Sequence, residues 1–143
     1  MKRVLLLAAL GLLIPAQALA AQGSGFSLRP RHLDFGSQQA TGGFSAPIDI
    51  TVTNNTGRDQ YLVDYEVSDL NHFNPIAAAD NSCYAYENAT APLAPGASCN
   101  FAVWMVLAEA GRFRATFNSL WLDAATNSPT MTHNVTLRGS VVP

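Results

Sequence analysis

The clearest structural signal in the chain is the stretch Ile48-Asp49-Ile50-Thr51-Val52-Thr53-Asn54-Asn55-Thr56-Gly57. Apolar and polar residues alternate with period two from Ile48 to Thr53, as they do in a strand that buries one face. The asparagines and glycine that follow favour a tight reversal of the chain. We therefore predict a half-buried β-strand that ends in a turn near Gly57.

The same alternation recurs along the rest of the chain. The apolar faces of four further segments are Val63/Tyr65/Val67, Phe101/Val103/Met105/Leu107, Phe113/Ala115/Phe117 and Val135/Leu137. Turn-forming residues separate these segments, and beyond the first twenty residues no helical periodicity extends over ten or more positions. About seven short strands in roughly 100 residues predict an all-β fold, a sandwich of two antiparallel sheets.

Length and composition limit the kinds of protein that this chain can be. It has 143 residues, of which 48% are hydrophobic and 13% charged, and its formal net charge is -2. A chain this apolar is not intrinsically disordered, and its length suits a single core. Because arginine and lysine are few and not clustered in the sequence, we predict no nucleic-acid partner.

The N-terminus has the pattern of a secretory signal peptide. Basic residues at positions 2–3 precede the apolar run Val4 to Ile14, and Ala18-Leu19-Ala20 offers small residues for cleavage. The alternative, a membrane anchor, would need about 20 apolar residues. We predict cleavage after Ala20, a flexible linker over 21–25 and one domain over 26–143. The mature chain would then be periplasmic or secreted, with no segment inserted in a membrane.

Cys83 and Cys99 are the two cysteines of the chain. An even pair in a small exported domain favours a disulfide, since the compartment outside the inner membrane is oxidising. A metal or redox pair is the alternative, but the close C-x-x-C spacing and neighbouring histidines are missing. We predict a Cys83–Cys99 disulfide.

Five segments together resemble the choice-of-anchor D and Hydin-type domains, which belong with the ASH and PapD-like immunoglobulin-like modules. They are Leu33-Asp34-Phe35-Gly36-Ser37, the stretch 48–57, which resembles a family strand that typically ends in T-N-x-G, Leu93-Ala94-Pro95-Gly96-Ala97-Ser98-Cys99, Gly111, and Val135-Thr136-Leu137-Arg138-Gly139. The resemblance implies an immunoglobulin-like β-sandwich over nearly the whole mature chain. Two positions depart from the family pattern, since Met105 and Leu107 stand where it commonly has an aromatic residue and a proline.

No arrangement in the sequence indicates catalysis or a metal site. His32, His72 and His133 are scattered, without the spacing of metal-binding histidines, and no serine lies in a G-x-S-x-G motif. Aspartates and a glutamate alternate over 64–69 without a calcium-loop pattern, so a solvated strand face is the simpler interpretation. We predict that the protein is not an enzyme and has no cofactor and no metal.

Apolar residues at outward positions are the more informative feature. Trp104 and Val106 alternate with the apolar face of their strand, and both faces are apolar in Leu120-Trp121-Leu122. Either a bulge or loop covers these residues, or they form a partner-contact surface. Arg112 and Arg114 would frame this surface and stack on a tryptophan. The predicted partner-contact residues are Trp104, Val106, Arg112, Arg114 and Trp121.

These observations predict a non-catalytic binding or structural module that contacts another envelope or extracellular protein. The first alternative is a subunit or accessory protein of a pilus or adhesin that uses strand-edge pairing. An enzyme or metal-binding protein is the second alternative. The step from fold to role depends on the resemblance, because immunoglobulin-like folds host many functions.

Overall fold

The computed structural model describes residues 25–76, 82–83 and 91–143. The predicted signal peptide and positions 21–24 of the predicted linker lie outside these residues. The last linker position, Gly25, is described, and its carbonyl oxygen accepts a hydrogen bond of 3.0 Å from the Asn55 N–H. The predicted cleavage and domain boundaries therefore stay predictions.

Nine strands form the described part of the chain. They are β1 (Phe26–Arg29), β2 (His32–Gln39), β3 (Ile48–Asn54), β4 (Gln60–Val67), β5 (Phe73–Ile76), β6 (Ser98–Met105), β7 (Gly111–Asp123), β8 (Pro129–Met131) and β9 (Val135–Val142). The prediction of an all-β sandwich is confirmed. There are two more strands than the predicted seven. One reason is that the chain changes sheet between β1 and β2, so that these residues form two strands, and the other is that β8 is a short strand of three residues.

The strands form two sheets that pack face to face. The four-stranded sheet has the order β1-β3-β6-β5, and the five-stranded sheet has the order β2-β9-β7-β4 with β8 paired to β7. All pairings are antiparallel except that of β2 with β9, which is parallel. Period-two alternation shows which residues share a face, but it does not show the direction of the neighbouring strand.

Aromatic rings from both sheets fill the space between them. Phe101 of the four-stranded sheet lies 4.9 Å from Phe117 of the five-stranded sheet, between ring centroids. Phe26 contacts Trp121 at 4.8 Å, again across the two sheets. Tilted ring pairs at such distances stabilise a core beyond the area that they bury. These contacts fix which face of each strand is inside, and so which face is left for a partner.

The predicted disulfide is present. Cys83 and Cys99 are bonded, with their Cα atoms 4.8 Å apart. Cys99 stands opposite Val52 in the β3–β6 pairing, and both cysteines are buried. The bond therefore ties the described residues 82–83 to the core side of the four-stranded sheet.

One predicted inward position is wrong. Val63 was expected to share the inner face of β4 with Val67, yet 46% of Val63 is exposed. The register of β4 against β7 shifts between Leu62 and Asp64, because Val63 is an extra residue in a β-bulge. Leu62, one position earlier, takes the buried place instead.

Candidate partner-binding face

The outer face of the five-stranded sheet is organised by β7, its longest strand. Along β7, Ala115, Phe117 and Trp121 are buried, and the intervening even-numbered residues point away from the core. We call this surface the outer face, and it has two chemically different halves. Arginines occupy the half near the start of β7. The half near its end is mainly apolar, and the exposed carboxylates Asp64 and Glu66 of β4 lie beside it.

The arginine half consists of Arg112, Arg114 and Arg138, all exposed. Arg114 of β7 stands directly opposite Arg138 of β9, and Arg112 is two residues along β7 on the same face. Side chains directly opposite in an antiparallel pair have Cβ atoms about 5 Å apart, so two like charges there repel each other. The three arginines line an open depression of about 410 Å³.

One carboxylate already lies among these arginines. The Asp34 Oδ2 atom accepts hydrogen bonds from Arg138 Nε at 3.1 Å and from Arg138 Nη2 at 2.8 Å. The Gly36 backbone N–H donates to Asp34 Oδ1 at 2.9 Å. The Gly36 hydrogen bond, followed by that from Arg138, lowers the pKa of Asp34 below its usual value. Asp34 is therefore ionised at neutral pH and offsets one of the three arginine charges.

A second depression adjoins the first. It has a volume of about 300 Å³ and is lined by His32, Arg114, Thr136 and Arg138. His32 stands opposite Thr136 in the parallel pairing of β2 and β9. The two depressions therefore extend together across three neighbouring strands, β7, β9 and β2.

The apolar half consists of Tyr61, Val63, Leu120, Leu122 and Met131. Leu120 stands opposite Met131 of β8 on one side and the exposed Asp64 of β4 on the other, and Leu122 stands opposite Tyr61 of β4. Met131 is 56% exposed, and Val63 is also among the exposed large hydrophobic residues. Three strands thus bring apolar side chains together on a solvent-facing surface, which is where partner contacts tend to lie.

Of the predicted contact residues, Arg112 and Arg114 lie on the outer face, whereas Trp121 does not. The prediction that Trp121 is a surface residue is wrong, because its side chain is fully buried. Its indole N–H donates a hydrogen bond of 2.9 Å to Ser119 Oγ, so the polar end of the ring is satisfied inside the core.

Trp104 and Val106 point outward from the other sheet. Trp104 is half-buried on β6, between the fully buried Val103 and Met105. Val106 forms a bridge with Phe44, which is 57% exposed. The prediction that arginines frame these residues is wrong, since Arg112 and Arg114 lie on the outer side of the opposite sheet.

Sequence reasoning missed most of the apolar half. The period-two signal was nevertheless present, because Trp121 has the same parity as Phe117 and therefore belongs inside. Leu120 and Leu122 have the opposite parity and therefore belong outside. The polar Ser119 interrupts the inward series and hid this pattern. The exposure of Val63 could not have been predicted from the alternation, because Val63, Tyr65 and Val67 alternate regularly and give no sign of the bulge in β4.

Among residues 25–76, 82–83 and 91–143, no group of three metal-ligating side chains could hold a metal ion. The closest histidine–carboxylate pair is His72 with Asp69, at 2.8 Å between Nδ1 and Oδ2. The His72 ring stacks on Phe113, with ring centroids 3.7 Å apart. This pair therefore anchors the turn after β4 against β7. Within the same ranges, no helix has the length and apolar character needed to cross a membrane.

Comparison with known proteins gives structural matches only. No protein-family model matches the chain, and no curated protein matches it significantly. The ASH/PapD-like domain 7 of human CEP192 matches with a TM-score of 0.57 and 11% identity, over 99% of this chain and 96% of that domain. The VesB protease of Vibrio cholerae also has a TM-score of 0.57, with 14% identity and 82% of this chain covered.

The match to VesB spans only 32% of the protease chain. An MSP-domain protein of Caenorhabditis elegans, SSP-19, matches with a TM-score of 0.47 and 12% identity, over 82% of this chain and 99% of that one. At these identities a structural match reports the fold and not the role. The chain therefore has the immunoglobulin-like sandwich fold that ASH and PapD-like domains share.

Proposed function

We propose that this protein is an exported, non-catalytic binding module that contacts another protein in the cell envelope or outside the cell. The observation that carries the proposal is the open Leu120–Met131 pair, which lies beside Tyr61 on the same face as Arg112 and Arg114. Aromatic residues, methionine and arginine are enriched where proteins bind each other, and an apolar centre with a polar rim is typical of such contacts.

Export is supported by two features of the chain. Residues 1–20 have the order of basic, apolar and small residues that a signal peptidase recognises. The Cys83–Cys99 bond is of the kind that persists in oxidising compartments. The five sequence segments that resemble choice-of-anchor D domains favour that family within the PapD-like group. We propose that the chain belongs to it, on the basis of these segments alone.

The alternative function, a pilus or adhesin subunit that uses strand-edge pairing, has less support from the five-stranded sheet. A pilus or adhesin subunit would pair an edge strand with a neighbouring chain through a regular ladder of hydrogen bonds. The two outer strands of the sheet, β2 and β4, both carry register shifts, between Asp34 and Ser37 and between Leu62 and Asp64. Bulges of this kind protect edges from pairing. The face of the sheet is therefore a better candidate than its edges.

Site-specific cross-linking tests the proposed function. A photo-reactive amino acid at Met131 should give a discrete higher-mass adduct with an envelope or secreted protein in the native cells. The matched control is the same amino acid at Asp49, which is exposed on the other sheet and stands opposite Ala102. The variant Leu120→Ser should abolish the adduct at Met131 while the protein stays folded. Equal adducts at Met131 and Asp49, or none at Met131, would refute the proposal.

A further inference from the structure

We propose that the arginine half of the outer face binds a carboxylate-rich segment of the partner protein. The inference rests on the proposed function and names the chemistry that the partner must bring. Arg112, Arg114 and Arg138 are the residues that would hold its acidic side chains.

The first argument is the repulsion built into the free protein. Arg114 stands opposite Arg138, and both are exposed on the same face as Arg112. Among the described residues, Asp34 pairs with Arg138, but no carboxylate pairs with Arg112 or Arg114. Like charges directly opposite each other on a sheet are unfavourable. An acidic ligand that lies between them removes this repulsion on binding.

The second argument is that Asp34 shows how this surface receives a carboxylate. Both Arg138 Nε and Arg138 Nη2 donate to one Asp34 oxygen, at 3.1 and 2.8 Å. The planar guanidinium group is suited to such paired hydrogen bonds with carboxylates. The depression of about 410 Å³ beside Arg138 is open, and Arg112 and Arg114 line the same space. A second and third carboxylate can therefore enter beside Asp34.

The third argument concerns the class of ligand. Within the described residues, eight carboxylates outnumber six arginines, and there is no lysine. Asp34 also reduces the local charge of the three arginines to about two. Tight binding of a densely charged polyanion needs a more extended basic surface than this. A peptide segment with two or three acidic side chains matches the local charge.

Binding of a defined acidic peptide tests the inference. The probe is a fluorescein-labelled peptide of four Glu-Ser repeats, and the neutral control is the same peptide with glutamine in place of glutamate. We expect the mature protein to bind the acidic peptide and not the neutral one in fluorescence anisotropy. Added salt should weaken this binding, because the contacts are solvent-exposed charges.

The double variant Arg112→Gln/Arg114→Gln should bind the acidic peptide about fivefold more weakly, as expected for the loss of two exposed charge pairs. Its thermal midpoint should not fall, since neither arginine has an ion pair among the described residues. The matched control is Arg29→Gln, because Arg29 is exposed on the other sheet and stands opposite Thr51. That variant should bind like the unaltered protein.

Three outcomes would overturn the inference. They are equal binding of the acidic and neutral peptides, an equal loss of affinity with Arg29→Gln, and tighter binding of a sulfated heparin oligosaccharide than of the acidic peptide. The inference and the proposed function fail separately. If the Met131 cross-link forms but the acidic peptide does not bind, only the inference is refuted. If the peptide binds but no protein cross-links at Met131, the proposed function is refuted, whereas the affinity of the arginine half for carboxylates stands.

Discussion

The variant Asn54→Ala should destabilise the protein more than its position at the end of a strand suggests. Asn54 is fully buried, and its side chain makes four hydrogen bonds. The Nδ2 group donates to the carbonyl oxygens of Arg58 at 2.7 Å and of Leu93 at 2.8 Å. The Oδ1 atom accepts from the Thr56 N–H at 3.0 Å and from Thr56 Oγ1 at 2.7 Å. One side chain thus joins the turn after β3 to the segment before β6.

The expected loss follows from these partners. A net contribution of about 1 kcal/mol for each hydrogen bond gives an upper value of about 4 kcal/mol. Water can replace part of the loss at the half-buried Thr56, and the Leu93 carbonyl oxygen keeps its hydrogen bond from the Gln60 N–H. We therefore expect a loss of about 3 kcal/mol in the free energy of unfolding. For a domain of this size that lowers Tm by roughly 10 °C.

The assay is urea unfolding of the oxidised mature protein, followed by the fluorescence of its two tryptophans, Trp104 and Trp121. The matched control is Asn55→Ala, because Asn55 is the exposed neighbour and no side-chain hydrogen bond involves it among the described residues. That control should change the free energy of unfolding by less than about 0.5 kcal/mol. A loss below about 1 kcal/mol for Asn54→Ala, or equal losses in both variants, would refute the reasoning.

Gly139→Ala should lower the free energy of unfolding in denaturant by about 2 kcal/mol, because the added Cβ would lie 2.5 Å from Met105 Sδ and 3.0 Å from Phe35 Cβ. The control Gly43→Ala should leave the free energy of unfolding unchanged, because its Cβ meets no atom nearer than 3.7 Å. The Gly36 N–H and Arg138 hold the pKa of Asp34 below its usual value, so the resulting stability is present above the unfolded pKa of about 3.9 and is lost as pH falls through the lower folded pKa. On acidification, the Tm of Asp34→Asn should therefore fall less than the Tm of the unaltered protein. Parallel curves of Tm against pH for the two proteins would contradict this. The exported protein should have the mass of residues 21–143 and no free thiol, and two free thiols would disprove the pairing in solution. The double variant Cys83→Ser/Cys99→Ser should lose about 3 kcal/mol in the free energy of unfolding.

The turn after β3 could be predicted from the sequence, but the role of Asn54 in it could not. The residues Thr53-Asn54-Asn55-Thr56-Gly57 predict a strand that ends in a reversal, and Gly57 indeed has a φ of 76°, which favours glycine. The pattern does not show why Asn54 stands there. Its partner Leu93 is 39 residues away in the sequence, so the reason for the asparagine appears only when the two segments meet.

The candidate face shows a similar division. Arg112 and Arg114 were predicted to be outward because they alternate with apolar residues, and both are exposed. Their predicted neighbour, Trp104, lies on the other sheet, whereas their actual neighbour Arg138 comes from β9. A local pattern of alternation carries no information about which strand will lie alongside.

The amino-acid sequence alone was enough for the class of fold, the pairing of Cys83 with Cys99 and the inward face of most strands. Each of these depends on short-range periodicity or on a small set of residues, so local chemistry constrains it strongly. The tertiary structure alone decided the assignment of strands to sheets, the bulge at Val63 and the position of Arg138 opposite Arg114. These depend on hydrogen bonds and packing between distant segments, and the free energy of such contacts is defined only once the two sheets have come together.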